Sequence, residues 1–158
     1  MMDGEQPTAL RFRDVLVAVD GSVHAELALT QGIALAQRHH ARLTVMTVAA
    51  HVTAATWGGA VDGPALQAEV DRDMERILRA AVDRVPDDLP VCSVFAHGHA
   101  GPAILHQIHK GNHDAVVVGA RGLGRVGQLF GSVSRHVLHH ADIAVFLAHA
   151  PVTRSHHG

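Results

Sequence analysis

Tyrosine is absent from this 158-residue chain, and tryptophan and cysteine occur once each. With only four phenylalanines beside Trp57, a core of this size has to be built from Val, Leu, Ile and Ala. The lone Cys92 cannot form an internal disulfide, so stability has to come from packing, and a reducing, cytoplasmic setting is the simple expectation. No stretch approaches 18 uncharged apolar residues, which leaves no candidate membrane span. The opening residues are polar and lack the apolar run of a signal peptide. Charge is also in short supply. A formal net charge of −2 gives no broad electrostatic footprint for nucleic acid or an anionic membrane.

What is present is apolar side chains, at 47% against 18% charged, which excludes a disordered chain. The length suits one domain. Residues 1–12 read as a leader, 13–150 as the domain and 151–158 as a polar tail. Short apolar runs at 15–19, 43–49, 91–96, 115–118 and 143–147 predict five strands. Between them lie segments with helical spacing. Ala25, Ala28, Leu29, Gly32, Ile33 and Ala36 mark the first helix, and Val70, Met74, Ile77, Leu78, Ala81, Val82 and Val85 the second. Residues 50–65, rich in Ala, Gly and Thr and with a proline at 64, predict a long loop. Pro102 suits the first turn of a third helix that ends near Gly111-Asn112, and 132–140 predicts a fourth. Apolar strands alternating with amphipathic helices imply a mostly parallel sheet covered on both faces.

In such sheets ligands bind beyond the C-terminal ends of the strands. Two features fall there: Asp20-Gly21-Ser22 after the first strand, and the glycine-rich stretch 119–134 after the fourth. The second has the chemistry of an anion site. Glycines let backbone N–H groups approach a phosphate, Ser132 and Ser134 carry donor hydroxyls, and the next helix presents its positive dipole end. Arg121 and Arg125 add charge-assisted contacts, and Asp20 suits ribose hydroxyls. The plainer alternatives are a connecting loop, an N-cap at Ser132 and a turn-ordering Asp20. Neither a P-loop nor a dinucleotide fingerprint is present.

Taken in order, Val19-Asp20-Gly21-Ser22, Val117-Val118-Gly119-Ala120-Arg121-Gly122 and Gly131-Ser132-Val133-Ser134-Arg135-His136-Val137-Leu138 resemble the universal stress protein family over nearly the whole chain. The resemblance implies a three-layer α/β/α sandwich of the adenine nucleotide alpha hydrolase-like type, its five parallel strands ordered 3-2-1-4-5. It also implies a homodimer joined through the last strand, and ATP held between the first and fourth strands with Mg²⁺ as the accompanying ion. Carried onto this chain, Asp20 meets ribose or the metal-phosphate region, and Val48 meets adenine through its backbone. Gly119 and Gly122 line the ribose and phosphate path. Gly131, Ser132, Val133 and Ser134 hold the phosphates. One departure stands out: eight residues separate Gly122 from Gly131, where the ATP-binding branch has nine.

No catalytic set emerges, since Ser132 or Ser134 with His136 and Asp142 lacks a nucleophile elbow. His136, His139 and His140, then His97 with His99, then His106, His109 and His113 raise a metal hypothesis, against which solvent-facing histidines are the simpler expectation. Cys92 is expected in the core. The leading reading is an ATP-binding stress-response regulator. A dimeric chaperone-like interaction protein, a cyclic AMP binder and a weak ATPase are the alternatives.

Overall fold

The computed structural model describes residues 9–53, 62–120 and 131–150. Within them the order is β1 (Asp14–Ala18), α1 (Val23–His39), β2 (Arg42–Ala49), α2 (Gly63–Asp83), β3 (Val91–His97), α3 (Ala100–Lys110), β4 (Ala115–Gly119), α4 (Ser132–His140) and β5 (Ala144–Ala148). The five strands form one sheet in the order β3-β2-β1-β4-β5, all pairs parallel, as the resemblance implied.

The strand runs are apolar on both sides because both faces of the sheet are buried. β1 is the centre: Val15, Leu16 and Val17 lie in register with Leu43, Thr44 and Val45 on one side and with Ala115, Val116 and Val117 on the other. Alternation then sends Val15, Val17, Leu43, Val45 and Val117 to the face covered by Ala25, Ala28 and Leu29 of α1 and Leu78 and Ala81 of α2. Leu16, Met46, Val116 and Val118 face Ile104 and Ile108 of α3 and Val137 of α4. Each fully buried Leu, Ile or Val contributes roughly 1.5–3 kcal/mol. Phe12, 8% exposed, joins the first face and meets Phe146 edge-on at 5.7 Å, so packed structure begins no later than the last residue of the expected leader.

Helix ends explain where the sequence reading was too short. Asp62 caps α2 by accepting the Ala65 N–H, and Pro64 stands in the first turn, where its missing N–H costs nothing. The proline expected in a loop therefore opens a helix, and the segment read as loop ends at Asp62. At the N-terminal edge of the sheet, the Asp114 carboxylate accepts the N–H groups of Arg13 at 2.8 Å and Asp14 at 3.0 Å. His113, expected near the face of His106 and His109, is not on that helix at all. α3 stops at Lys110, Asn112 turns the chain at φ 52°, and His113 is buried with Nδ1 2.7 Å from Asp14 Oδ1.

Cys92 is exposed rather than in the core. It is the second residue of the edge strand β3, whose face toward α3 remains an open groove.

Candidate functional site

The exits of β1 and β4 are neighbours in the sheet, while the chain leaves them toward helices on different sides. This is the switch point at which an open α/β sheet forms a crevice. The β1 exit is held rigidly. Val19 N–H donates to the Met46 carbonyl at 2.8 Å, and the Thr47 hydroxyl donates to the Val19 carbonyl at 2.7 Å. Gly21 then takes φ 82°, a conformation that side chains disfavour, and turns the chain into α1. Asp20 accepts the Ser22 N–H at 3.0 Å, and the Ser22 hydroxyl oxygen accepts the Ala25 N–H at 3.2 Å, capping the helix. Asp20 therefore does order its own turn, and the same turn sets it at the rim of the crevice.

That crevice is a hollow of about 140 Å³. Its floor is apolar, from Ala18, Met46, Val48 and Val118, and Ala100 and Ile104 of α3 close one side. Asp20, Ser22, Gly119, Val133 and Ser134 complete the lining. Five of the nine residues singled out in the sequence thus surround one hollow: Asp20, Val48, Gly119, Val133 and Ser134. Gly131 and Ser132 stand beside it at the start of α4. Arg121 and Gly122 lie outside the described residues, as does Arg125.

The start of α4 differs from the simplest expectation. Gly131, not Ser132, is the N-cap residue, and no side chain caps the helix. The helical ladder opens with Arg135 N–H on the Gly131 carbonyl at 3.0 Å, leaving the N–H groups of Ser132, Val133 and Ser134 ahead of the ladder. Ser134 is buried, and its hydroxyl donates to the Gly131 carbonyl at 3.0 Å. Its side chain braces the turn, so what α4 offers an anion is the exposed Ser132 hydroxyl, backbone N–H and the positive dipole end.

Gly119 has a structural reason of its own. A Cβ built there falls 2.6 Å from the His24 carbonyl carbon and 2.7 Å from its oxygen. Only glycine lets the first turn of α1 pack this closely on the end of β4. Met46, Ala100 and Ile104 were missed in the sequence. The available signal was parity: residues two apart near strand ends share a face, so Met46 accompanies Val48.

A larger hollow, about 740 Å³, runs between α1 and β5 and is lined by Leu27, Leu35, Phe146 and Leu147 among others. It contains none of the expected nucleotide-contacting residues. Among the described residues no three His, Cys, Asp or Glu side chains gather as a metal site, and no helix is long and apolar enough to cross a membrane. His136 is half-buried, its ring stacked on His140 at 4.4 Å and seated where Gly101 leaves room.

Comparison with known proteins agrees with this architecture. The sequence model of the universal stress protein family matches residues 11–149. A universal stress protein of Thermus aquaticus is 36% identical over 142 residues, 86% of this chain and 98% of the relative. A solved universal stress protein in complex with cAMP gives a TM-score of 0.68 at 22% identity, covering 89% of this chain and 98% of that one. An Arabidopsis thaliana family protein with AMP bound gives 0.66 at 17% identity, covering 89% and 93%. With the expected strand order, the motifs at both strand exits and a family match across almost all of its length, this chain belongs to the universal stress protein family.

Proposed function

We propose that the chain binds an adenine nucleotide in the crevice between the β1 and β4 exits, with ATP and Mg²⁺ as the specific ligand. The observation that carries this reading is the meeting of an apolar floor, the Asp20 carboxylate and the open N-terminus of α4 around one hollow. Adenine suits the floor, with the backbone at Val48 reading its edge. Asp20 serves the ribose hydroxyls or the metal-phosphate region, with an oxygen suited to Mg²⁺. The phosphates lie along Gly119 and end at the N–H groups of Ser132, Val133 and Ser134, and the sequence motif adds Arg121 and Gly122 as contacts. At about 140 Å³ the hollow is smaller than the 300–1,000 Å³ typical of ligand sites, so it takes the base end and the phosphates extend along the rim.

Support also comes from relatives whose solved forms hold cAMP or AMP. They make cyclic AMP the second reading. The start of α4 favours ATP, because a free polyphosphate exploits three open N–H groups better than a cyclic diester. The biological role that follows is a cytoplasmic, nucleotide-dependent stress-response regulator that works as a homodimer. β5 is the natural dimer edge: among the described residues it pairs with β4 alone, and its Phe146 and the neighbouring Leu138 of α4 are 38% and 40% exposed.

The test is calorimetric titration of nucleotide-stripped protein with ATP–Mg²⁺ and, separately, cyclic AMP. Saturable ATP binding, weakened when Ser132→Ala is combined with Gly122→Ala, is the expected result. Preference for cyclic AMP transfers the site to the second ligand, and a folded dimer that binds neither overturns the reading.

A further inference from the structure

A third recess lies on the far side of α3, over the edge strand β3, with a volume of about 380 Å³. That size falls within the range of small-molecule sites. It exists because α3 buries its Ile104–Ile108 stripe against the middle of the sheet and leaves β3 partly uncovered. The floor is apolar: Met46, with Val94 and Ala96 half-buried beside it. The helix wall changes character along its length. Pro102 and Ala103 are small and apolar, while His106, Gln107 and Lys110 carry hydrogen-bond donors. His106 and Lys110 are one turn apart on the same side of the helix and are both exposed. His99 adds a further imidazole at the other end.

Among the described residues no carboxylate lines this recess. Asp71 of α2 reaches the lining residue His97, meeting its Nε2 at 3.0 Å, and accepts from Gln67 at 3.0 Å. His97 in turn stacks on His51. Lys110 and the imidazoles of His99 and His106 therefore line the recess with no carboxylate among its described lining residues. An apolar floor with the Lys110 ammonium and imidazole N–H groups at its rim is complementary to a ligand with an apolar body and one anionic head. We infer that this groove binds a small amphipathic organic anion, of the chemistry of a medium-chain carboxylate, separately from the nucleotide crevice.

Octanoate is the probe, followed by amide chemical shifts in ¹H–¹⁵N spectra of the full chain. Saturable shifts centred on Val94, Ala96, Ala103 and Gln107 are expected. In His106→Glu/Lys110→Glu, both exposed positions, the affinity should fall at least tenfold while the spectrum stays that of the folded protein. Octylammonium, with the same chain and opposite charge, should bind at least tenfold more weakly than octanoate to the unaltered protein and regain affinity in the double variant. Three results overturn the inference: no saturable shifts up to millimolar octanoate, equal binding of the two charge types, or shifts centred on the α1–β5 hollow.

Discussion

Gly119→Ala separates the packing role of the β4 exit from any ligand role. The backbone at Gly119 is not in the left-handed region, so alanine meets no conformational penalty there. The cost comes from space. The new methyl would sit 2.6 Å from the His24 carbonyl carbon, 2.7 Å from its oxygen and 2.9 Å from its Cβ. Carbon atoms pack at about 3.5–4.0 Å, so the first turn of α1 has to move by about 1 Å. Two of those contacts are backbone, which no rotamer change relieves. Overpacking of this kind costs about 1–3 kcal/mol. At about 2–4 °C per kcal/mol for a domain of this size, the expected fall in melting temperature is several degrees, between about 2 and 12 °C. Thermal unfolding by circular dichroism measures it. A melting temperature within 1 °C of the parent, with α1 still seated on β4, would refute the reasoning. Gly32→Ala is the companion case. Its methyl would meet the Val17 side chain at 2.2 Å, and Val17 is itself fully buried, so a loss of similar size is expected without displacement of the Asp20 turn.

Ser132→Asp distinguishes helix stability from phosphate binding: a carboxylate in the first turn of α4 favours the dipole by about 0.3–1 kcal/mol, yet repels a phosphate. Calorimetry should show ATP affinity reduced about tenfold or more, near 1.4 kcal/mol, with an unchanged or slightly raised melting temperature. Asp14→Ala removes the partner of a buried imidazole. His113 Nε2 faces the Gln107 amide at 3.1 Å and Nδ1 faces Asp14, so the variant strands a buried donor at a cost of about 1–3 kcal/mol, read from the urea midpoint. The Asp71 carboxyl is held below 3.8, the ordinary aspartate value, first by the Gln67 hydrogen bond and then by His97. A lowered folded value means that its contribution to stability is present above 3.8 and disappears as pH falls through the folded value. Carboxyl ¹³C titration should place Asp71 below 3.8, and Gln67→Ala should move it upward.

The strands were legible because both sheet faces are buried, so the runs at 15–19, 43–49 and 115–118 are apolar without alternation. α4 was legible to the residue, since Val133 and Val137 lie one turn apart. Other features depended on tertiary facts that no local pattern carries. Cys92 sits in an apolar-looking run, but an edge strand leaves that position in solvent. His113 looked like the end of a helical histidine row. Its burial follows from Asp14, 99 residues away, which offers a carboxylate at the same sheet edge. Gly119 was noted for a ligand, whereas its contact with His24 is visible only once α1 lies across β4. Ser134 was noted as a donor to phosphate, and its hydroxyl is engaged by the Gly131 carbonyl. Of the site, the strand exits and the helix start were readable from spacing and resemblance. The side wall contributed by Ala100 and Ile104 required the packed sheet.

The most direct test of nucleotide binding at this crevice is backbone amide exchange and chemical shift with and without saturating ATP–Mg²⁺. Binding as proposed slows exchange at Ser132, Val133 and Ser134, the three N–H groups ahead of the α4 ladder, and shifts Val48 and Asp20. Saturable ATP binding that leaves those five residues unchanged, or perturbs only the hollow between α1 and β5, would contradict it.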